Sequence, residues 1–350
     1  MGSPRLRIGL TYDLRDDYRA LGFAADELAE FDFIGTIDAI DAALRSLGHE
    51  TERIGNVRAL ARRLSEGAGW DLVFNTAEGV RGFGREAQVP ALLEAFEIAY
   101  TFSDPLVSAL TLHKGMAKRV LRDAGVPTAA FCVVADEADL AQLELPFPLF
   151  VKPVAEGTAK GIDAGSRVAD HAALAARCRL LWAKYAQPAL VEPFLPGREF
   201  TVGVLGQGAG ARSVGTLELR LREGAEPGIY SYLNKELSEE RVDLPLADAA
   251  AAALVEPVAL AAWRALGGRD AGRVDLRLDA RGHPQVLELN PLPGLHPTHS
   301  DLPILWSALG QPYETLIAAI VRDASARRRE LPGRPKRRRQ QKGALASSLA

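Results

Sequence analysis

The first hundred residues alternate short hydrophobic runs with segments in which apolar positions recur every three or four residues. The runs predict strands at 7–13, 51–54, 71–75 and 99–101, and the periodic segments predict helices at 34–47, 57–65 and 87–96. Strands that alternate with helices are typical of a parallel α/β sheet. Ligands of such sheets bind beyond the carboxyl ends of the strands, which here are residues 13–18 and 76–86.

A second and a third unit follow. Ser103 or Asp104 can cap a predicted helix that carries Pro105 in its first turn and runs to Ala124. The later predicted elements are strands at 131–134, 148–153, 189–192, 199–205 and 211–221, and helices at 170–185 and 248–266. Because Gly206, Gly208 and Gly210 lie between two strands, we interpret them as a hairpin turn and not as a dinucleotide-binding loop.

The segment from Arg273 to Gly294 predicts a β-hairpin with charged groups on one face. A turn at residues 280–283 would place Asp275 opposite Glu288 and Arg273 opposite Asn290. Like charges on directly opposed residues repel, so a cation between the two carboxylates would stabilise them. Oxygen ligands suit Mg²⁺, which takes its other ligands from water and phosphate. An exposed hairpin with solvated charges is the alternative, and a one-residue slip in register would remove the geometry.

Lys152 ends a predicted strand and precedes the loop VAEGTAKG at residues 154–161. Its ammonium and the backbone N–H groups of this glycine-containing loop are suited to binding phosphate. The GxxxxGK[ST] order of a P-loop is absent. Glu192 and Glu199 flank a turn that could present backbone groups to adenine and a carboxylate to a ribose. A surface lysine beside a turn and two solvated acids are the alternative interpretations.

Composition gives an ordinary soluble protein of 350 residues, with 47% hydrophobic residues and a net charge of −3, which argues against an obligate nucleic-acid partner. Cys132 and Cys178 show no metal or disulfide spacing, so we expect a cytoplasmic protein. The N-terminus shows no apolar targeting segment, and no run reaches membrane-spanning length. Nine Lys or Arg and one acid lie between Arg327 and Lys342, which predicts a solvated, disordered tail, with nucleic-acid or lipid binding as the alternative.

Four motifs in collinear order resemble the D-alanine:D-alanine ligase branch of the ATP-grasp superfamily. They are LTLHKGMAKRVLRDAGVPT, PLFVKPVAEGTAKGI, LVEPFLPGREFTVGVLG and GRVDLRLDARGHPQVLELNPLPGL. The resemblance implies a three-domain α/β ligase that holds ATP between two sheets. We assign residues 1–105 to an N-terminal first-substrate domain, 106–190 to a central domain, 191–326 to a C-terminal domain with the metal site, and 327–350 to the basic tail.

The resemblance also implies a role for individual residues. The cofactors would be ATP and two Mg²⁺ ions, with Mn²⁺ as an alternative metal. Lys114 and Lys152 would bind phosphate and adenine. The phosphate loop would be formed by Glu156, Gly157, Thr158, Ala159 and Gly161. The adenosine would be bound by Glu192, Leu195 and Glu199. Asp275, Glu288 and Asn290 would bind the metal ions. Lys235 would reach the γ-phosphate, and Arg273 and the N–H of Gly294 would stabilise the tetrahedral intermediate.

The sequence departs from the family pattern where substrates are selected. The first-substrate loop lacks the histidine of the family and places Glu78, Arg85 and Glu86 at the nearest positions. A glutamate that follows the first strand in the family has Asp13, Asp16 or Asp17 as candidate counterparts. The hydroxyl that holds the acceptor carboxylate in the family maps to Thr298, His299 or Ser300. ATP use is therefore the better supported part of the resemblance.

These features predict an ATP-dependent carboxylate–amine ligase that forms an amide through an acyl phosphate. The expected partners are small amino-acid-like molecules, and the family likeness suggests a homodimer. One alternative is a relative that joins another amino acid or amine in a specialised pathway. The other is a nucleotide-binding protein without catalytic activity.

Overall fold

The computed structural model describes residues 4–226 and 228–330, with no side chains described for 328–330. The first unit contains β1 Arg7–Thr11, α1 Arg15–Ala20, α2 Ile34–Ser46, β2 Glu50–Gly55, α3 Val57–Ser65, β3 Leu72–Asn75 and α4 Gln88–Ala95. Its three parallel strands have the order β2-β1-β3, which confirms the predicted parallel layer. The strand predicted at 99–101 is reduced to one parallel bridge between Val73 and Tyr100.

The second unit contains α5 Pro105–Leu112, α6 Lys114–Asp123, β4 Cys132–Val134, α7 Glu137–Ala141, β5 Leu149–Pro153, β6 Arg167–Val168, α8 His171–Tyr185 and β7 Ala189–Pro193. Its antiparallel sheet has the order β4-β7-β5-β6. The prediction of one helix to Ala124 was wrong, because the backbone of His113 is extended and ends α5. The Nδ1 atom of His113 then accepts a hydrogen bond from the N–H of Met116 and caps α6.

The third unit contains β8 Glu199–Leu205, β9 Arg212–Leu221, α9 Tyr232–Glu236, α10 Ser238–Arg241, β10 Val242–Asp243, α11 Ala249–Leu266, β11 Ala271–Leu278, β12 Pro284–Asn290, α12 Asp301–Ala308 and α13 Tyr313–Glu330. Its antiparallel sheet has the order β10-β9-β8-β11-β12. The three glycines of residues 206–210 lie in the turn between β8 and β9, as predicted. The predicted boundary after residue 190 falls inside β7, a strand of the second unit.

The strands β11 and β12 form the predicted hairpin, and the residues far from the turn pair in the predicted register. Arg273 pairs with Asn290 and Asp275 pairs with Glu288. Nearer the turn Leu278 pairs with Pro284, so the turn is one residue longer than predicted. A β-bulge at Leu287 absorbs the extra residue and restores the expected pairing.

Helix α11 is apolar and long enough by composition to cross a membrane. Val255, Ala259 and Trp263 on this helix are fully buried against the antiparallel sheet. The indole N–H of Trp263 also donates to the carbonyl of Gly206, at 3.0 Å. The helix is apolar because one of its faces packs in the hydrophobic core.

Helix α13 returns to the first unit and packs on its sheet. Leu316 and Ile320 of this helix are fully buried in one core with Ile8, Leu44 and Leu72. The helix continues to Glu330, so residues 327–330, which we predicted as the start of a disordered tail, are helical. The rest of the predicted basic tail lies outside the described residues.

Arg327 fastens the end of α13 to the junction of the first and third units. Its guanidinium forms an ion pair with the fully buried Asp270 and donates to the carbonyl of Tyr100 at 3.0 Å. Asp270 in turn accepts a hydrogen bond from the N–H of Phe102, at 2.7 Å. The first arginine of the basic segment is therefore a structural residue.

We expect Arg327→Ala to lower the free energy of unfolding by about 3 kcal/mol, because the substitution leaves Asp270 buried without its cationic partner. Urea unfolding at pH 7 measures the change. Arg322→Ala on the same helix is the control, since the Arg322 side chain is 63% exposed and an exposed pair contributes at most about 1 kcal/mol. Equal effects of the two substitutions would contradict the assignment.

Candidate active site

A cleft lies between the four-stranded and five-stranded sheets. Its walls include the apolar side chains Phe150, Phe194, Leu195, Leu219, Ile229 and Leu287. The guanidinium groups of Arg167 and Arg277 lie 4.5 and 5.1 Å from the centroid of the Phe194 ring, which fixes this aromatic wall. Such a surface with polar groups at its edge suits a planar base.

Glu192 lines the cleft and lies between two lysines. Its carboxylate is 2.5 Å from the ammonium of Lys118 and 3.2 Å from that of Lys152. Burial alone would raise the pKa of Glu192, but Lys118 and Lys152 lower it below its usual range. Lys118 was missed in the sequence, although its position four residues after Lys114 places both lysines on one face of α6.

Glu199 lines the same cleft from the start of β8. Arg277, its cross-strand partner on β11, donates to its carboxylate at 3.1 Å. Burial raises the pKa of Glu199, and Arg277 partly opposes this effect. Leu195 also lines the cleft, so the three predicted adenosine-binding residues share one cavity.

The two opposed acids Asp275 and Glu288 line the same cleft. Arg273 contacts Asp275, and the ammonium of Lys114 is 3.1 Å from Glu288. Burial raises the pKa of Asp275 and the charge of Glu288 adds to this effect, although Arg273 opposes it. Burial also favours the neutral form of Glu288, but Lys114 and Lys152 lower its pKa further than burial raises it. The charges of this pair are thus balanced by an arginine of the same strand and by lysines of α6 and β5.

The chemistry of this acid pair fits a hard divalent ion. Asn290 donates to Asp275 at 3.1 Å and Thr201 donates to it at 2.9 Å, so two carboxylates and a carboxamide are held on adjacent strands. Among residues 4–226 and 228–330 no group of three His, Cys, Asp or Glu side chains is placed to hold a metal. An ion here would therefore take further ligands from phosphate and water, as Mg²⁺ does.

The predicted phosphate loop closes over the junction of the cleft with a second cavity. Lys114 donates to the carbonyl of Glu156 at 2.6 Å, and Glu30 accepts from the N–H of Gly157. Thr158 and Ala159 adopt positive φ values of 50° and 55°. Gly161 does not line the cleft; it has a φ of 72°, and a Cβ there would lie 2.5 Å from Pro153. Glycine is therefore favoured at the point where the loop approaches Pro153, and a phosphate contact of Gly161 stays a prediction.

The second cavity has a volume of about 350 Å³ and lies between the first and third units. The first unit contributes Glu30, Asp32, Glu78 and Glu86 to its wall, and the third contributes residues 290–294, His296, Ser300 and Asp301. Lys114, Lys235, Arg273 and Glu288 line both this cavity and the cleft. The two spaces therefore meet at four charged side chains.

Three acids from the first unit have pKa values above their usual range. Burial raises the pKa of Glu86 to about 7, with Arg85 opposing and Glu30 adding to the shift. Burial and the neighbouring Glu86 raise the pKa of Glu78. Burial also raises the pKa of Asp32 to about 7, although Thr76 donates a hydrogen bond to it. Asp32 and Glu30 were not found in the sequence, because they lie in an irregular segment.

Three predicted substrate residues lie outside the wall of this cavity. Asp13 is 2% exposed, and its carboxylate accepts hydrogen bonds from Tyr18 and from the N–H of Gly79. Arg85 holds Glu30 and donates to the carbonyl of Ala155 at 2.9 Å. Thr298 is exposed and contacts the ring of His296. Ser300, in contrast, lines the cavity, and its Oγ accepts from the N–H of His296 at 3.0 Å.

A nucleotide-binding cleft between two antiparallel sheets, with acids and lysines at its inner end, defines an ATP-grasp ligase. The family model described as D-ala D-ala ligase C-terminus matches residues 120–322. D-alanine–D-alanine ligase of Bordetella avium is 36% identical over 75% of this chain and 81% of its own length. An uncharacterised protein of Sinorhizobium fredii, y4sG, is 35% identical over 83% of this chain and 87% of its own.

A solved structure of a D-alanine–D-alanine ligase has a similar fold. The crystal structure of D-alanine–D-alanine ligase from Bacillus anthracis complexed with ATP has a TM-score of 0.70 and 21% identity, covering 93% of this chain and 99% of that one. The chain belongs to the D-alanine–D-alanine ligase family. It is an ADP-forming ligase that forms carbon–nitrogen bonds.

We expect Asp32→Asn to raise the free energy of unfolding relative to the wild-type protein, and to do so more at pH 8 than at pH 5. The pKa of Asp32 in the folded state lies above the unfolded value, so the favourable contribution of its neutral form is lost as the pH rises through 7. Asn carries no charge and escapes this loss, which should amount to about 1–3 kcal/mol. Urea unfolding at the two pH values measures the difference. The same change for Asp16→Asn, whose side chain is 75% exposed, would contradict the explanation.

We expect Lys118→Met to weaken the binding of a non-hydrolysable ATP analogue by roughly tenfold, equivalent to about 1.4 kcal/mol. Without Lys118, Lys152 is the remaining cationic partner of the Glu192 carboxylate. The stronger pairing with Glu192 would hold Lys152 away from the nucleotide. Calorimetric titration measures the dissociation constant. Arg119→Met, an exposed change on the same helix, is the control; unchanged affinity in Lys118→Met would disprove this role.

Proposed function

We propose that the protein uses Mg²⁺ and ATP to activate the carboxylate of one small amino-acid-like substrate and joins it to the amine of a second. The observation that carries this proposal is the junction of the two cavities. Lys114, Lys235, Arg273 and Glu288 face both the nucleotide cleft and the substrate cavity. A carboxylate in one space can therefore approach a terminal phosphate in the other.

The first half-reaction transfers a phosphoryl group from ATP to the donor carboxylate and gives an acyl phosphate. Its requirement is compensation of negative charge, because both reactants are anions. Lys114 and Lys235 line the junction and supply two cations there. Asp275, Glu288 and Asn290 would hold two Mg²⁺ ions, or Mn²⁺ in their place, and bound ions would neutralise further phosphoryl charge.

The second half-reaction is the attack of the acceptor amine on the acyl phosphate. The oxygen of the tetrahedral intermediate needs donors that are already in position. Arg273 and Gly294 both line the substrate cavity, which supports the roles that the resemblance implies for them. A Cβ at position 294 would lie 2.7 Å from the Oγ of Ser300, so glycine permits this close approach of the loop.

D-alanine is the first donor to test, because several relatives carry the name D-alanine–D-alanine ligase. A ligase for another amino acid or amine is the second candidate. Glu78 favours it, since a buried carboxyl occupies the position nearest to the family's histidine and lines the cavity. The cytoplasmic location and the homodimer stay predictions.

The proposal is tested by supplying ATP, Mg²⁺ and hydroxylamine together with each of a panel of D- and L-amino acids. Hydroxylamine converts an acyl phosphate into a hydroxamate, which reports donor activation whatever the natural acceptor is. We expect a hydroxamate and equimolar ADP with at least one donor. ADP formation that no carboxylate stimulates would overturn the proposed function.

We expect Asp275→Asn and Glu288→Gln each to abolish hydroxamate formation while the protein stays folded, because each substitution removes a carboxylate from the pair that compensates metal charge. Arg273→Ala should slow amide formation, because it removes about 2.7–4 kcal/mol of transition-state stabilisation, a typical value for one lost donor. Asp279→Asn in the turn of the same hairpin is the matched control. Full activity of Glu288→Gln with ordinary Mg²⁺ dependence would refute the metal assignment.

A further inference from the structure

Asp301 places a carboxylate beside the reaction centre. It is the first residue of α12, and its side chain is 10% exposed and lines the substrate cavity. One of its oxygens is 3.5 Å from the Nε atom of Arg273.

Arg273 therefore lies between two carboxylates of the protein itself. Asp275 contacts its Nη1 atom and Asp301 faces its Nε atom. Both acids help to raise the pKa of Arg273 above its usual range, although burial opposes them. Asp301 therefore presents a carboxylate to the cavity directly beside Arg273.

Other charged groups also line this cavity. Lys235 and Glu236 of α9 are among them, together with Arg15, His296 and His299. Lys235 also faces the nucleotide cleft. A carboxylate on an acceptor bound beside Arg273 would lie close to Asp301, and like charges at short range repel.

We propose that Asp301 is a specificity-determining residue that selects an acceptor amine with no carboxylate next to its nucleophilic nitrogen. The inference rests on the proposed ligase function and names the chemical class of its second substrate. In the reaction the amine nitrogen bonds to the acyl carbon as the bond from that carbon to the phosphate oxygen breaks. Phosphate leaves with the electron pair, and the proton lost by the amine ends on phosphate.

A purely structural role gives a different expectation. If Asp301 served solely to orient Arg273, its loss would slow every acceptor alike, since each tetrahedral intermediate needs the same donor. A selective role changes the ratio between acceptors that differ in charge. The ratio of two kcat/KM values is therefore the quantity to measure.

The experiment compares alanine with alaninamide of the same configuration as acceptors, with the donor that gives the strongest hydroxamate signal. Asp301→Asn keeps the shape of the side chain and removes its charge. We expect this substitution to shift the kcat/KM ratio at least roughly tenfold toward alanine, about 1.4 kcal/mol of discrimination. Comparing ratios between the two enzymes removes the difference in intrinsic reactivity of the two amines.

Glu314→Gln, a carboxylate change on the exposed start of α13, is the control and should keep the wild-type ratio. An unchanged ratio in Asp301→Asn, with hydroxamate still formed, would overturn the specificity role and leave the ligase function standing. Absence of hydroxamate with every amino acid in the wild-type protein would overturn the ligase function, and this inference with it.

Discussion

The pairing of Asp275 with Glu288 across β11 and β12 is the constraint on which the active site depends. Asp275 is buried and Glu288 is 25% exposed, so the two carboxylates repel each other, and the fold tolerates them because a cation lies beside each. Lys114 comes from the start of α6, and Arg273 comes from the same strand as Asp275. Under the proposed function, a bound divalent ion and phosphate would take part in this charge compensation.

The same principle recurs at Glu192, which lines the same cleft. Glu192 shares its charge with Lys118 and Lys152, and all three side chains are almost completely buried. Between units, Lys114 of the second unit pairs with Glu288 of the third, and Glu30 of the first unit accepts a hydrogen bond from the N–H of Gly157 in the second. The geometry of the site therefore depends on how the three units pack. Helix α13 secures that packing through its apolar face and through Arg327.

The parallel α/β layer and the charged hairpin could be predicted because they follow from local patterns, whereas the three-domain architecture with a nucleotide cleft was implied by the resemblance of four motifs to a known family. Alternation with a period of two identified the hairpin, and the distance from its turn gave the pairing of Asp275 with Glu288. The bulge at Leu287 could not be foreseen, because a bulge and a longer turn compensate each other without a change in the pattern. The break at His113 was missed for a related reason, since apolar spacing continues through it.

The substrate cavity was the least predictable part of the site. Glu30 and Asp32 lie in an irregular segment, and Asp301 follows a loop, so neither periodicity nor spacing marks them. Their roles come from tertiary contacts with Gly157, Thr76 and Arg273. Asp13, a predicted substrate contact, is a polar residue at a strand end whose carboxylate accepts hydrogen bonds from Tyr18 and from the N–H of Gly79, contacts that the sequence did not indicate.

The most direct test of the central claim is a calorimetric titration of the wild-type protein with a non-hydrolysable ATP analogue, with and without Mg²⁺. If Asp275 and Glu288 gather divalent ions around the terminal phosphates, the analogue should bind at least roughly tenfold more tightly with Mg²⁺, a gain of about 1.4 kcal/mol. That gain should disappear in Glu288→Gln. An affinity that is the same with and without Mg²⁺ in the wild-type protein would contradict the account.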